Sequence, residues 1–221
     1  MTNAYTSINI LYEDNHLLVI DKPAGLLTQP TENETESAET WGKEWIRQHK
    51  HKTGNVFLHP IHRIDKPVSG IVVFAKTSKA LSRLQKSMRE ARYRKMYRAL
   101  VSPSPKLEES TLQHCIVHGS YKAFIDDHHP DAKEALLNYR VIEKFPDGSS
   151  LLEIELITGR YHQIRVQMQA IGSPIVGDIK YGSEVPYKDK AIALHHYQME
   201  ILHPITQQKI NLISTCPFDL R

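Results

Sequence analysis

The amino-acid sequence predicts an α+β fold: a mixed, largely antiparallel central sheet flanked by helices and loops. It predicts one domain over residues 1–221, with a core at about 10–214. Three observations lead there. Short aliphatic and β-branched runs outnumber helical patterns. Strands and helices do not alternate as they would in a parallel βαβ sheet. Hydrophobic residues make up 40% of the chain and charged residues 24%, enough apolar material at this length to bury a core.

The elements follow in order. Residues 10–12 and 17–20 are apolar pieces on either side of Glu13-Asp14-Asn15, a hairpin pattern. Lys22-Pro23-Ala24-Gly25 breaks the second piece. Residues 31–40 hold four glutamates, no aromatic and no period, and read as a mobile loop. Residues 41–51 suit a short helix with Trp45 and Ile46 inward. Residues 71–76 are a dense β-branched run and read as a buried strand. Thr77 or Ser78 then caps a helix in which Leu81, Leu84, Met88 and Ala91 recur at spacings of 3, 4 and 3. Residues 97–101 are a further strand, and 126–131 a polar loop containing Pro130.

Residues 136–142 and 151–157 read as strands joined through Phe145-Pro146-Asp147-Gly148, a good turn sequence. Residues 162–171 have helical spacing. Ile164, Met168 and Ile171 form one stripe, with His162, Arg165 and Gln169 on a polar stripe beside it, and Gly172 ends the helix. Residues 191–202 and 209–214 are late strands.

Several function classes are excluded. No apolar run approaches the roughly 18 residues needed to cross a bilayer. The start, Met1–Asn9, has no secretory pattern. Two cysteines, Cys115 and Cys216, cannot build a disulfide framework, and Cys115 reads as core. Thirteen histidines occur without an HExxH or a clustered ligand set, so they read as solvated or hydrogen-bonded groups, not as metal ligands. A cytoplasmic protein with no metal and no membrane contact is expected.

Charge is concentrated. The chain totals +3, yet the window from Lys76 to Arg98 holds nine bases and one acid, Glu90. Acids that normally alternate with such bases are missing, so an external polyanion would relieve the repulsion, and nucleic acid is the usual one. Lys79, Arg83, Lys86, Arg89, Arg94 and Lys95 are the expected nucleic-acid contacts in this window.

Two segments carry the chemistry. In His62-Arg63-Ile64-Asp65-Lys66-Pro67-Val68-Ser69-Gly70 a carboxylate sits between two cations, which favours its ionised form. Such a carboxylate at a strand end can act as a nucleophile. Taken alone, Asp65 reads as a turn or ion-pair residue. Gly159-Arg160-Tyr161-His162-Gln163-Ile164-Arg165 puts an arginine near the start of a helix, which taken alone is a surface residue.

Together the two segments resemble the HRLDxxTSG and GRxHQIR motifs of the RluA family of pseudouridine synthases. Four further stretches agree in order: Lys22-Pro23-Ala24-Gly25-Leu26, Lys95-Met96-Tyr97-Arg98-Ala99, Pro174-Ile175-Val176-Gly177-Asp178 with Tyr181-Gly182, and Leu194-His195 with His203-Pro204. The likeness runs from about Leu11 to Ile213, and its departures are Val68, Tyr161 and Gln167.

The resemblance implies a pseudouridine synthase fold and isomerisation of uridine to pseudouridine in ribosomal or transfer RNA. It implies Asp65 as the essential carboxylate, Tyr97 as the aromatic residue against the target base, and Arg165 as the ion-pair partner of Asp65. Arg63 would fill the space that the flipped uridine leaves, and Arg160 and His162 would contact RNA. No cofactor is needed, and the protein is expected to act as a monomer without a separate N-terminal RNA-binding domain. Two other classes remain: a catalytically weak RNA-binding protein, and a glycosidase, which would want a second acid near Asp65.

Overall fold

A computed structural model of the chain describes residues 8–51 and 53–218. Most of the polar start, residues 1–7, lies outside them. Eleven strands and three α-helices occur among the described residues, in the α+β class expected. No helix there is long and apolar enough to cross a membrane. The described residues fall into two compact units. The first takes those up to Tyr93 with Gln198–Thr215, and the second takes Arg94–Tyr197 with those from Cys216 on.

The first unit opens with the expected hairpin of β1 (Asn9–Glu13) and β2 (Leu17–Lys22). Its turn is made by one side chain: Asp14 accepts the N–H groups of His16 and Leu17, both at 2.7 Å. α1 (Ala38–His49) begins earlier than predicted, because Ser37 and Thr40 cap each other's backbone N–H reciprocally. That box lies within the stretch expected to be loop. Ile46 faces inward as expected, but Trp45 is only half-buried and stacks on His49 at 4.3 Å.

β2 pairs antiparallel with β4 (Ser69–Ala75), Lys22 standing opposite Gly70, and β3 (His59–Pro60) also pairs with β4. α2 (Ser78–Arg89) starts at Thr77, whose hydroxyl accepts the Ala80 N–H. Ala80 and Leu84 are buried in a cluster with Leu17, Val19, Ile71 and Val73, and Leu81 and Met88 pack against it. Ala91, expected on the same stripe, lies beyond the helix at φ 53°. β10 (Leu194–Leu202) enters this unit at its C-terminal end, where β11 (Lys209–Ile213) pairs with it.

The second unit is an antiparallel series. β5 (Tyr93–Val101) pairs with β9 (Ser150–Leu156), β9 with β8 (Lys133–Lys144), β8 with β6 (Glu109–His118), and β6 with β7 (Ala123–Ile125). The β8–β9 turn forms where expected. β6 and β7 were not anticipated: glutamate, glutamine and histidine interrupt the aliphatic residues of β6. Cys115, on β6, is half-buried instead of in the core.

α3 (Gln163–Ala170) packs on one face of these strands, where Ile116, Ala123 and Ala135 meet Val166 and Tyr181. All six residues from Gln163 to Met168 are buried, and of the predicted polar stripe His162 and Arg165 are buried while Gln169 is exposed. Gln167, a departure from the motif, donates to the Leu112 and Ala135 carbonyls at 3.1 and 3.3 Å and lies 3.0 Å from His114 Nδ1. A buried amide needs such partners. Val68, another departure, is 2% exposed and serves as core.

Candidate active site

Asp65 stands in the first unit, on the loop between β3 and β4. The loop alternates: Ile61, Ile64 and Val68 are buried, while Arg63 and Lys66 are exposed. Thr28 grips its middle, donating to the Ile64 carbonyl at 2.9 Å and accepting the Ile64 N–H at 3.3 Å. The Gly25 N–H donates to the Lys66 carbonyl and the Val68 N–H to that of Asp65, at 2.8 and 3.0 Å. Gly70 then starts β4 at φ 116°, a left-handed conformation that a side chain would strain.

The cations about Asp65 differ from the sequence expectation. Lys66 pairs with Glu34 at 2.6 Å. A cation whose charge couples to Asp65 is Lys22, which is fully buried. Its ammonium donates to the carbonyls of Pro23, Leu26 and Lys66 at 2.9, 2.7 and 3.4 Å, so it ties the end of β2 to the residue after Asp65. Burial pushes its pKa down to about 7, against the pull of the Asp65 and Asp21 carboxylates. In the sequence reading Lys22-Pro23 only breaks a strand. The structure adds a buried titratable lysine that holds the Asp65 loop.

Lys22→Met removes the ammonium from the Pro23 and Leu26 carbonyls, while that of Lys66 keeps the Gly25 N–H, and should lower stability by about 1–3 kcal/mol near neutral pH. A lysine whose folded pKa is depressed binds fewer protons folded than unfolded above about pH 7. Its contribution therefore makes stability rise with pH from there toward the unfolded value of 10.5. The variant should flatten that slope, as denaturant melts at pH 6.5, 8 and 9 would reveal. An unchanged slope would mean that Lys22 titrates as a free lysine.

Arg165 stands in the second unit, in the first turn of α3. It is 4% exposed and forms a two-point ion pair with Asp178, Nε to Oδ2 at 2.7 Å and Nη2 to Oδ1 at 2.9 Å. Its guanidinium lies 4.9 Å from the centre of the Tyr181 ring. The Tyr181 hydroxyl receives the Ala123 N–H at 2.8 Å and lies 2.7 Å from His162 Nδ1. Asp178, read from the sequence only as part of a motif stretch, is the buried acid that orients Arg165. Gly177 makes room for that chain path, at φ 85° with only 2.5 Å between an added Cβ and Tyr187 Cβ.

Tyr97, on β5, is 5% exposed and stacks on His196 with ring centres 4.5 Å apart. Lys95, two residues earlier on the same strand face, was expected to meet RNA phosphates. It is buried, its pKa is pushed down to about 8 by that burial, and Gly159 leaves room for its ammonium. His162, also expected at the RNA, is 7% exposed and engaged with Tyr181. Arg160 is exposed and donates to the Glu134 carbonyl at 2.8 Å.

The basic window does not go unrelieved. Lys76 pairs with Glu13, Arg94 with Glu155, Arg98 with Glu153, and both Lys86 and Arg92 with Glu90. Arg83 donates to the Pro204 carbonyl at 2.9 Å. Among the described residues Lys79, Arg83 and Arg89 are exposed cations on α2 without an ion pair there.

Comparison with known proteins agrees with the motifs. The sequence pattern of the RNA pseudouridylate synthase family matches residues 16–170. The chain is 31% identical to an uncharacterized RNA pseudouridine synthase, YhcT, of Bacillus subtilis, over 98% of this chain and 71% of that protein. It is 33% identical to ribosomal large subunit pseudouridine synthase D of Nitrosomonas europaea, over 96% of this chain and 63% of that one. It is 31% identical to the dual-specificity RNA pseudouridine synthase RluA of Haemophilus influenzae, over 96% and 94%. A solved human structure, RNA pseudouridylate synthase domain containing 4, shares the fold at a TM-score of 0.78 with 23% identity, over 95% of this chain and 89% of that one. With the pattern matched over most of its length, this chain belongs to the RNA pseudouridylate synthase family, among its RluA-type members.

Proposed function

We propose that the protein isomerises uridine to pseudouridine in ribosomal or transfer RNA, with Asp65, Tyr97 and Arg165 as its catalytic residues. The observation that carries the reading is the Asp65 loop. The residue matching the family's essential carboxylate sits on a segment held by Thr28 and by the buried Lys22. In the reaction the N1–C1′ bond of the nucleotide breaks and a C5–C1′ bond forms. The C5 proton leaves and N1 gains one, so every atom is conserved and no cofactor is called for.

Positive charge builds at C1′ as the first bond breaks, and an ionised Asp65 stabilises or captures it. The family resemblance assigns Arg165, aimed by Asp178, the task of keeping the reacting carboxylate charged. Tyr97, backed by His196, offers its ring to the base and its hydroxyl to the C5 proton. The target leaves its stack at a cost of a few kcal/mol, which contacts to backbone phosphates offset. Arg63, exposed beside Asp65, would fill the gap left by the flipped nucleotide. These phosphate contacts are assigned to α2. A cavity of about 390 Å³ opens beside its last turns, lined by Arg83, Lys86, Arg92, Pro204 and Ile205, with Glu90 its one acid.

The direct test is release of tritium from RNA labelled at uridine C5, read together with nucleoside analysis for pseudouridine. Release with pseudouridine formation is expected; free uracil as the product would make the protein a glycosidase instead. Alanine at both Lys79 and Arg89 should weaken RNA binding at every sequence tested. It should also reduce the dependence of log affinity on log salt by about one to two. An unchanged salt slope would remove α2 from the RNA path.

A further inference from the structure

The face of β6 that carries Ile116 against α3 ends at His118. There the packing changes from aliphatic to aromatic. The His118 ring lies on Tyr161 with centres 4.0 Å apart and planes 27° apart, and Tyr161 lies on His162 at 3.8 Å and 22°. His162 in turn meets the Tyr181 ring edge-on at 5.5 Å. The inner rungs are fixed. His162 and Tyr181 are buried and share a hydrogen bond, and Tyr161 is half-buried between two rings. His118 is exposed, so the ladder ends on a flat ring facing solvent.

Exposed cations lie on the segments that flank this end. Arg160 adjoins Tyr161 in sequence and is exposed, as is Lys122 on the β6–β7 turn. Lys180 stands 3.9 Å above the ring of Tyr121, itself 69% exposed. Glu134, whose carbonyl takes the Arg160 hydrogen bond, turns its carboxylate to Gln113 at 2.7 Å. An exposed ring with exposed cations on the neighbouring turn and segment suits a ligand that is flat and aromatic with an anionic backbone, and an unpaired nucleotide is that ligand.

We propose that His118 is the outer rung of a stacking platform that receives an unpaired nucleobase of the RNA, with Arg160 and Lys122 on the adjoining phosphates. The platform is additional to the Asp65 loop and rests on the reading of the protein as an RNA-modifying enzyme. Stacking of bases on side-chain rings tolerates any base, so this site selects unpaired structure instead of sequence. Tyr161, a departure from the family motif, supplies the rung on which His118 rests.

The experiment uses the full chain and a uridine stem-loop RNA that the wild-type protein converts. His118→Ala should raise KM and Kd roughly fivefold or more, the lower end for one base on one ring, with kcat changing less. His118→Phe, which keeps a flat face, should restore both. Abasic substitutions placed singly at each unpaired position should reveal one position whose loss and the His118→Ala loss are not additive. Additive losses at every position, or His118→Ala binding like wild type, would overturn the proposal while leaving the isomerase reading intact. Absence of pseudouridine with the wild-type protein would instead strike that reading itself.

Discussion

Asp65→Asn is expected to abolish pseudouridine formation, by at least about a thousandfold in turnover, while RNA affinity stays within a few fold. The two side chains have nearly the same shape, so the loop held by Thr28 and Lys22 keeps its course. What disappears is the negative charge, and with it the group that meets the cationic C1′. Affinity survives because it resides chiefly in contacts to phosphates, which the substitution does not touch. A second signal accompanies the first. The Asp65 carboxylate raises the Lys22 pKa, so in the variant that lysine should titrate lower than in wild type, as an NMR titration of its side-chain nitrogen would register. Retained tritium release would reject Asp65 as the reacting acid.

Asp178→Ala should cost about 3–5 kcal/mol of stability, because it strips the two-point partner from a guanidinium that is 4% exposed. For a chain of this length that is a fall in Tm on the order of 10 °C. Combining it with Arg165→Met should cost less than the sum of the two single changes, since the methionine removes the charge that Asp178 offsets. Turnover should fall in Asp178→Ala even at temperatures where the variant is folded, and Asp178→Asn, which keeps one acceptor, should recover part of it. A melting temperature equal to wild type would show that Arg165 owes nothing to Asp178.

The sequence carried whatever is decided within a few neighbouring residues. The hairpin about Asp14, the strand of residues 69–75, the Thr77 cap and the Pro146-Asp147 turn are local choices, and their residues announce them. The start of α1 was missed because its capping box uses threonine, not glutamate, as the returning side chain. Partners far apart in the chain were harder to see. Lys22 meets Lys66 across 44 positions through a backbone carbonyl, which has no residue type to read. The acids that neutralise the basic window come from Glu13, Glu153 and Glu155, so counting charges inside the window overstated its need for an external anion. Motif resemblance drew attention to Arg165 and to the Gly177-Asp178 stretch, but only coordinates pair the two.

α3 is walled in on every side over its first six residues, with Gln167 bonded to β6 and β8 and Tyr181 pressed against Arg165. A helix so confined cannot slide or roll to meet an incoming strand. On the proposed reading, accommodation therefore falls to the nucleic acid, because the guanidinium assigned to the reaction is already fixed in place. Transcripts whose target nucleotide is loosely held before the encounter should be turned over fastest, and stiff helical regions should be passed by.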